Sequence, residues 1–243
     1  MDTEVARRVA WITGAGSGIG AASAERLAAS GWTVALSGRS REHLDAVAER
    51  IGSAGGDALV VPLDVSDGEA VPAARDAVLA ATGRIDALVL AAGLNSPRRT
   101  WGDQRLSELE EIVRTNLLGP VGVIDAALPE LRAHAGAVVL VSSYSAWAFA
   151  PIAGVGYSAS KKALAEIART LNAQEAASGI RACHLCPGDV ATDFLRHRPQ
   201  VPDDEARARM LAPDDVARAV EFVLDSPAHV RIDEMVISPV SQR

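Results

Sequence analysis

Short apolar runs alternate with longer amphipathic segments almost throughout the chain. The runs at 9–13, 32–37, 59–63, 87–92, 137–142, 181–186 and 234–238 read as strands. Between them, 18–30, 41–51, 67–81, 106–131, 157–177 and 213–224 read as helices. The strand runs are nearly continuous in apolar residues, as in a sheet buried on both faces. Strand–helix alternation with right-handed crossovers predicts an α/β fold, a Rossmann-type doubly wound parallel sheet with helices on both faces. No repeat, low-complexity tract or interdomain linker interrupts the pattern, so 1–243 is expected to form a single dinucleotide-binding and catalytic domain. The least regular stretch, 189–212, follows a strand's carboxyl end, where a substrate-covering loop belongs.

Composition narrows the function classes. Apolar residues make up 49% of the 243 positions and aromatics only 4%, which favours close helix-on-sheet packing over a base-stacking surface. A formal net charge of -7 argues against nucleic acid or an anionic membrane as partner. The start Met1-Asp2-Thr3-Glu4 is polar, so no signal peptide is expected. Apolar runs such as 137–141 are far too short to span a bilayer. Two cysteines give no disulfide framework, and a cytoplasmic location is expected.

The first strand runs into Thr13-Gly14-Ala15-Gly16-Ser17-Gly18-Ile19-Gly20, with a helix after it. Glycines let the backbone turn tightly and approach a phosphate, and the free N–H groups of the helix start then meet a pyrophosphate. At the end of the second strand, Ser37-Gly38-Arg39-Ser40-Arg41 offers no carboxylate for an adenosine ribose. Arg39 instead presents a planar fork of donors suited to a 2′-phosphate, with Ser40 and Arg41 beside it, which predicts NADP(H) over NAD(H). The competing reading makes Arg39 and Arg41 solvated charges at a helix start.

Tyr157 stands four residues before Lys161, so the two share a helix face. A phenol that works as a base near pH 7 needs about 4 kcal/mol of differential stabilisation. An ammonium 4 Å away supplies about 1 kcal/mol in water and about 4 in a partly closed site. Lys161 together with a bound oxidised nicotinamide can therefore activate Tyr157 as general acid/base.

The glycine spacing and the Tyr157–Lys161 pair resemble the classical short-chain dehydrogenase/reductase family, and further matches follow in family order from residue 9 to about 238. The resemblance implies that Ser143 holds the substrate carbonyl, with Ser142 and Ser145 as alternatives because the interval to Tyr157 is one residue longer than the family's usual spacing. It implies that Asn116, in Thr115-Asn116-Leu117-Leu118-Gly119, interrupts the fourth helix and holds a relay water near the lysine. It implies cofactor contacts from Gly14, Ser17, Gly18, Ile19, Gly20, Arg39, Asp64, Val65, Ala92, Gly93, Tyr157 and Lys161. The segment Pro187, Gly188, Val190 and Thr192 would meet the nicotinamide carboxamide. Asp64 would contact the adenine; a helix cap is its competing role. Dimers or tetramers through the fourth and fifth helices are implied as well.

Two departures stand out. Leu90-Ala91-Ala92-Gly93 replaces the family's Asn-Asn-Ala-Gly, and the last strand lacks Asp-Gly-Gly, reading more like the branch of 3-hydroxy acid and aldehyde reductases. Cys183-His184-Leu185-Cys186 has no second cysteine pair, and residues three apart on a strand face opposite ways, so no metal is expected. Arg98 and Arg99 read either as solvated loop charges or as holders of a substrate anion, and Trp147 and Phe149 as pocket walls or packing. The expected function is hydride transfer between NADP(H) and a carbonyl or alcohol of a small molecule. The alternatives are a silent NADP(H) sensor or scaffold and an internal-redox epimerase or dehydratase.

Overall fold

The computed structural model describes residues 7–242, so the polar start at Met1 to Glu4 lies outside the described residues. Seven strands, β1 (Val9–Thr13), β2 (Thr33–Ser37), β3 (Asp57–Val60), β4 (Ala87–Leu90), β5 (Ala137–Val141), β6 (Arg181–Pro187) and β7 (Glu234–Ile237), form one sheet. Their order is β3-β2-β1-β4-β5-β6-β7, and every pairing is parallel. The connecting α-helices are α1 (Gly18–Ala29), α2 (Arg41–Ser53), α3 (Ala70–Thr82), α4 (Leu106–Val113), α5 (Gly119–His134), α6 (Tyr144–Trp147), α7 (Val155–Gln174), α8 (Asp204–Ala208) and α9 (Pro213–Asp225).

Strand alternation builds two cores. Ala10 and Ile12 of β1 pack with α1, α2 and α9, while Val9 and Trp11 pack with α3, α5 and α7. Successive side chains of a strand leave on opposite faces, so an uninterrupted apolar run is what both cores need. The small residues Ala21, Ala24 and Ala28 let α1 approach the sheet and α9 closely. One polar thread crosses the sheet: Trp11 Nε1 donates to Ser37 Oγ at 2.9 Å, and Ser37 Oγ donates to the Val61 carbonyl at 2.7 Å.

Several boundaries differ from the sequence reading. The third strand begins at Asp57 rather than 59, because register with Thr33, not hydrophobicity, sets it at this sheet edge. Hydrogen bonds from Val61 N to Leu36 O and from Leu63 N to Gly38 O continue the pairing beyond it. The expected helix over 106–131 is α4, a π-helical turn at Arg114–Leu118, and α5. The fifth long helix starts at Val155, which puts Tyr157 in its first turn. Within 189–212 the chain forms a 3-10 segment (Asp193–His197) and α8, neither visible as a hydrophobic pattern.

The strand order reverses direction at β1, with β2 on one side and β4 on the other. The chain's loops therefore diverge at the carboxyl ends of β1 and β4 and open a crevice there, the position at which open α/β sheets bind ligands.

Candidate active site

A cavity of about 1530 Å³ occupies that crevice. Cavities for one drug-sized ligand are roughly 300–1,000 Å³, so this one has room for a dinucleotide and a second small molecule. Ser17, Gly18, Ile19 and Gly20 line one end, with Gly14 beneath them. Gly14 has φ +67°, and a Cβ there would stand 2.7 Å from Ala92 N; a Cβ on Gly20 would stand 2.3 Å from Gly14 O. Larger residues are excluded at both places, and the bare backbone leaves a cradle at the head of α1 that suits a pyrophosphate.

Arg39, exposed at the end of β2, lines the same end together with Ser40 and His43. Ser40 caps α2 by accepting from His43 N at 3.3 Å. Arg41 leaves the cavity and pairs with Asp45 at 3.6 Å. Asp64 does not cap α3; its Oδ1 accepts from Ser66 N at 2.9 Å and from Ser66 Oγ at 2.7 Å. Burial works against ionisation of Asp64, but the Ser66 hydrogen bonds and the Arg39 charge prevail and hold its carboxyl below the usual range. Val65, Ala92 and Gly93 complete this wall. At the carboxyl end of β6, Pro187, Gly188, Val190 and Thr192 line the cavity. Thr192 reaches over the glycine loop: a Cβ on Gly18 would meet Thr192 Cγ2 at 3.2 Å.

Tyr157, Ser143 and Lys161 meet at the middle of the cavity. Ser143 ends the loop after β5, caps α6 by accepting from Ser145 N at 3.2 Å, and acts on the Tyr157 phenol by lowering its pKa. Ser142 is turned away, buried and donating to the Lys161 carbonyl at 2.9 Å. Ser145 donates to Ser143 Oγ at 3.1 Å and so supports it. Lys161 is buried, and its Nζ donates to Val141 O at 2.8 Å and lies 5.9 Å from the centre of the Tyr157 ring. Burial lowers its pKa to about 8.

The sequence makes Lys161, together with a bound oxidised nicotinamide, the source of charge that acts on the phenol. In the structure, burial raises the Tyr157 pKa, and the groups that pull it back are Ser143, Arg99 and Arg198. Lys161 Nζ is turned to the Val141 carbonyl, which orients the ammonium without neutralising it.

Asn116 sits fully buried in the π-helical turn. Its Oδ1 accepts from Leu94 N at 2.7 Å, and its Nδ2 donates to Leu94 O at 2.9 Å and to Ser160 Oγ at 3.2 Å. The i→i+5 spacing widens the turn and gives the side chain this access. Asn116 thus ties the loop after β4 to the helix that carries Tyr157 and Lys161.

Some lining residues have no individual sequence signal. Phe194, whose ring centre is 6.0 Å from that of Tyr157, and Arg198, paired with Asp189, come from the segment flagged only as a whole. Gln242 reaches in from the chain's end and accepts from Asp189 N at 2.9 Å through its Oε1. Phe149 is 92% exposed and outside the cavity wall, and Trp147 stacks edge-on against Tyr144. Outside the cavity, His184, Cys186 and Glu234 bring ligand-type atoms within 4.8 Å of one another, a grouping that linear spacing hides because Glu234 arrives from β7. His184 Nδ1 lies 3.0 Å from Glu234 Oε2, which satisfies the buried ring. No helix among the described residues is long and apolar enough to cross a membrane.

The chain matches the short chain dehydrogenase family over residues 8–202. It is similar to an uncharacterized oxidoreductase of Staphylococcus haemolyticus, 34% identical over 98% of this chain and 100% of that one. Among solved structures it resembles an alcohol dehydrogenase from the archaeon Thermococcus sibiricus complexed with 5-hydroxy-NADP, with TM-score 0.87, 32% identity and 98% of each chain covered. It also resembles a 3-ketoacyl-(acyl-carrier-protein) reductase from Brucella melitensis complexed with NADH, with TM-score 0.86, 28% identity, and 95% of this chain and 96% of that one covered.

Proposed function

Since this chain belongs to the short chain dehydrogenase family of oxidoreductases, we propose that it is an NADP(H)-dependent carbonyl reductase or alcohol dehydrogenase with Tyr157 as general acid/base. The observation that carries this reading is convergence: Tyr157, Ser143 and Lys161 line the same cavity as the glycine cradle. A nicotinamide bound there supplies or accepts the hydride. Gly14, Ser17, Gly18, Ile19 and Gly20 bind its pyrophosphate, and Asp64 and Val65 face the adenine. Ala92, Gly93, Pro187, Gly188, Val190 and Thr192 hold the remainder.

Arg39 gives the preference for NADP(H). It is the cation at the end of β2, it has no ion-pair partner among the described residues, and no carboxylate stands at that strand end to favour a free ribose. Its fork matches a phosphate group. Ser143 donates to the substrate carbonyl oxygen and stabilises the charge that grows there. In reduction, the Tyr157 phenol gives its proton to the new alkoxide; in oxidation, the phenolate takes it back. Lys161 fixes α7 against β5 and, as an ammonium, favours the phenolate. Asn116 maintains the geometry between the two.

The exposed apolar residues Leu106, Leu118 and Val121 support a homodimer or homotetramer through the fourth-helix region. The two free thiols suit a reducing cytoplasm. The test is NADPH and NADH oxidation with a panel of ketones, aldehydes and 3-oxo acids, with Tyr157→Phe as control. NADPH-selective turnover that the Phe variant loses supports the reading. Turnover undiminished in the Phe variant refutes Tyr157 as the acid, and turnover with NADH alone refutes the cofactor preference.

A further inference from the structure

One charge at the Tyr157 end of the cavity has no role in the reaction above. Arg98 and Arg99 follow β4 side by side, and the structure separates them. Arg98 forms an ion pair with Glu108 of α4. Arg99 has no carboxylate partner among the described residues. Its Nε donates to Ser96 O at 2.6 Å, its Nη1 to Ile152 O at 3.3 Å, and its Nη2 to His197 O. A guanidinium has five N–H groups, so two remain. The three that are engaged meet carbonyl dipoles, which orient the group without neutralising it. Burial pushes the Arg99 pKa down, and the Arg198 charge adds to that. Arg99 is half-buried, and a charge withdrawn that far from water is ordinarily paired, because its desolvation is otherwise uncompensated.

The placement of Arg99 is built into the backbone. It lines the cavity, and its charge acts directly on the Tyr157 phenol. Gly154, at the head of α7, has φ +86°, and a Cβ there would press to 3.0 Å from Arg99 Cβ. The arginine therefore packs on the turn that launches the Tyr157 helix. The other charged groups near it are already spent. Arg198 is paired with Asp189, and burial together with neighbouring arginines disfavours the charged form of His197. Apolar wall is supplied by Phe194 and Ile152. Arg99 is thus an oriented guanidinium without a carboxylate partner among the described residues, beside the proton donor in a partly apolar chamber that also holds the Lys161 ammonium.

We propose that Arg99 is an anion-binding subsite that holds the carboxylate of an oxo acid while the carbonyl of the same molecule lies at Tyr157. The proposal rests on the reductase reading for the place of the carbonyl, but the subsite itself binds whether or not hydride moves. The planar fork of an arginine matches the two oxygens of a carboxylate.

The test is calorimetric titration of pyruvate, acetoacetate and levulinate, and of their methyl esters, into the protein saturated with oxidised cofactor, where no reduction can proceed. The expected result is that at least one free acid binds about tenfold or more tighter than its ester, as befits a hydrogen bond to a charged group. Arg99→Gln brings that ratio close to one, and Arg99→Lys retains part of it. Acids that bind no better than their esters, or do not bind, overturn the proposal. So does a ratio that survives in Arg99→Gln. The wild-type comparison stands without any variant, so a Gln protein that fails to fold does not protect the idea. NADPH and NADH oxidation run in parallel separates the two readings: acid-selective binding that depends on Arg99, with no oxidation of either cofactor, keeps the subsite and removes the reductase.

Discussion

The hydroxyl of Ser142 donates to the carbonyl of Lys161 at 2.9 Å, while the ammonium of Lys161 donates to the carbonyl of Val141, the residue before Ser142, at 2.8 Å. This reciprocal clamp joins the end of β5 to the second turn of α7. It fixes the distance between the strand that delivers Ser143 and the helix that delivers Tyr157. It also removes Ser142 as a competitor for the substrate carbonyl, since its proton is committed to the backbone.

The clamp leaves a charge in a dry place, and stability should report it. Burial lowers the Lys161 pKa from 10.5 to about 8. Between those values the unfolded chain binds more protons than the folded one, so the stability of the cofactor-free protein rises as pH climbs through that window. Below it the penalty is fully present, about 3 kcal/mol. Lys161→Met is expected to unfold at higher urea than wild type at pH 7, with the difference shrinking toward pH 10. A difference independent of pH would mean that the ammonium is solvated.

Tyr157→Phe is expected to lower turnover about 10²–10⁴-fold, the range for loss of a positioned proton donor. Because burial raises the phenol pKa, the acid form predominates through neutral pH. Carbonyl reduction should be level from pH 6 to 8 on that account, and alcohol oxidation should climb as the pH rises toward the phenol's own range. Opposite slopes in steady-state kinetics would assign the proton to another group.

Arg39→Asp exchanges a phosphate ligand for a ribose acceptor. Hydrogen bonds to charged groups contribute about 1.5–3 kcal/mol, so NADPH affinity should fall roughly 10- to 100-fold while NADH affinity holds or improves. Titration of protein fluorescence with each cofactor reads this directly. Equal loss for both would place Arg39 outside the phosphate subsite.

Asn116→Ala deletes three hydrogen bonds and strands the partly buried peptide groups of Leu94. An unmet buried donor or acceptor costs about 1–3 kcal/mol, and calorimetry should show a midpoint lower by roughly 5 °C. An unchanged midpoint would mean that water replaces the side chain.

Burial pushes the thiols of Cys183 and Cys186 up to about 12. Neither should react with a disulfide reagent at pH 8 in the native protein, and both should react in guanidinium. Rapid native labelling would show that β6 opens locally.

The sheet was legible because its strands are buried on both faces, which turns a tertiary fact into an unbroken apolar run, as at Val138–Leu140 between the two cores. The cradle was legible because glycine is irreplaceable where a Cβ would meet Ala92 N. Asp57 was missed as a strand residue because a polar edge position carries no hydrophobic signature. The difference between Arg98 and Arg99 could not be read at all. Adjacent, chemically identical side chains part only because Glu108 arrives from α4 and the His197 carbonyl from the loop after β6. The site's electrostatics are long-range in sequence: the cations that act on Tyr157, Arg99 and Arg198, come from the loops after β4 and β6.

The central place of β1 carries a consequence for synthesis. Val9–Thr13 is synthesised well before Ala87–Leu90, for which one of its edges waits. Until those residues emerge, the nascent chain holds β1 and β2 as a ribbon with an open, apolar flank, the kind of edge that recruits other chains. The crevice that would receive a dinucleotide is bounded by that same junction, so a ligand there can grip only a chain that has already closed its most aggregation-prone seam.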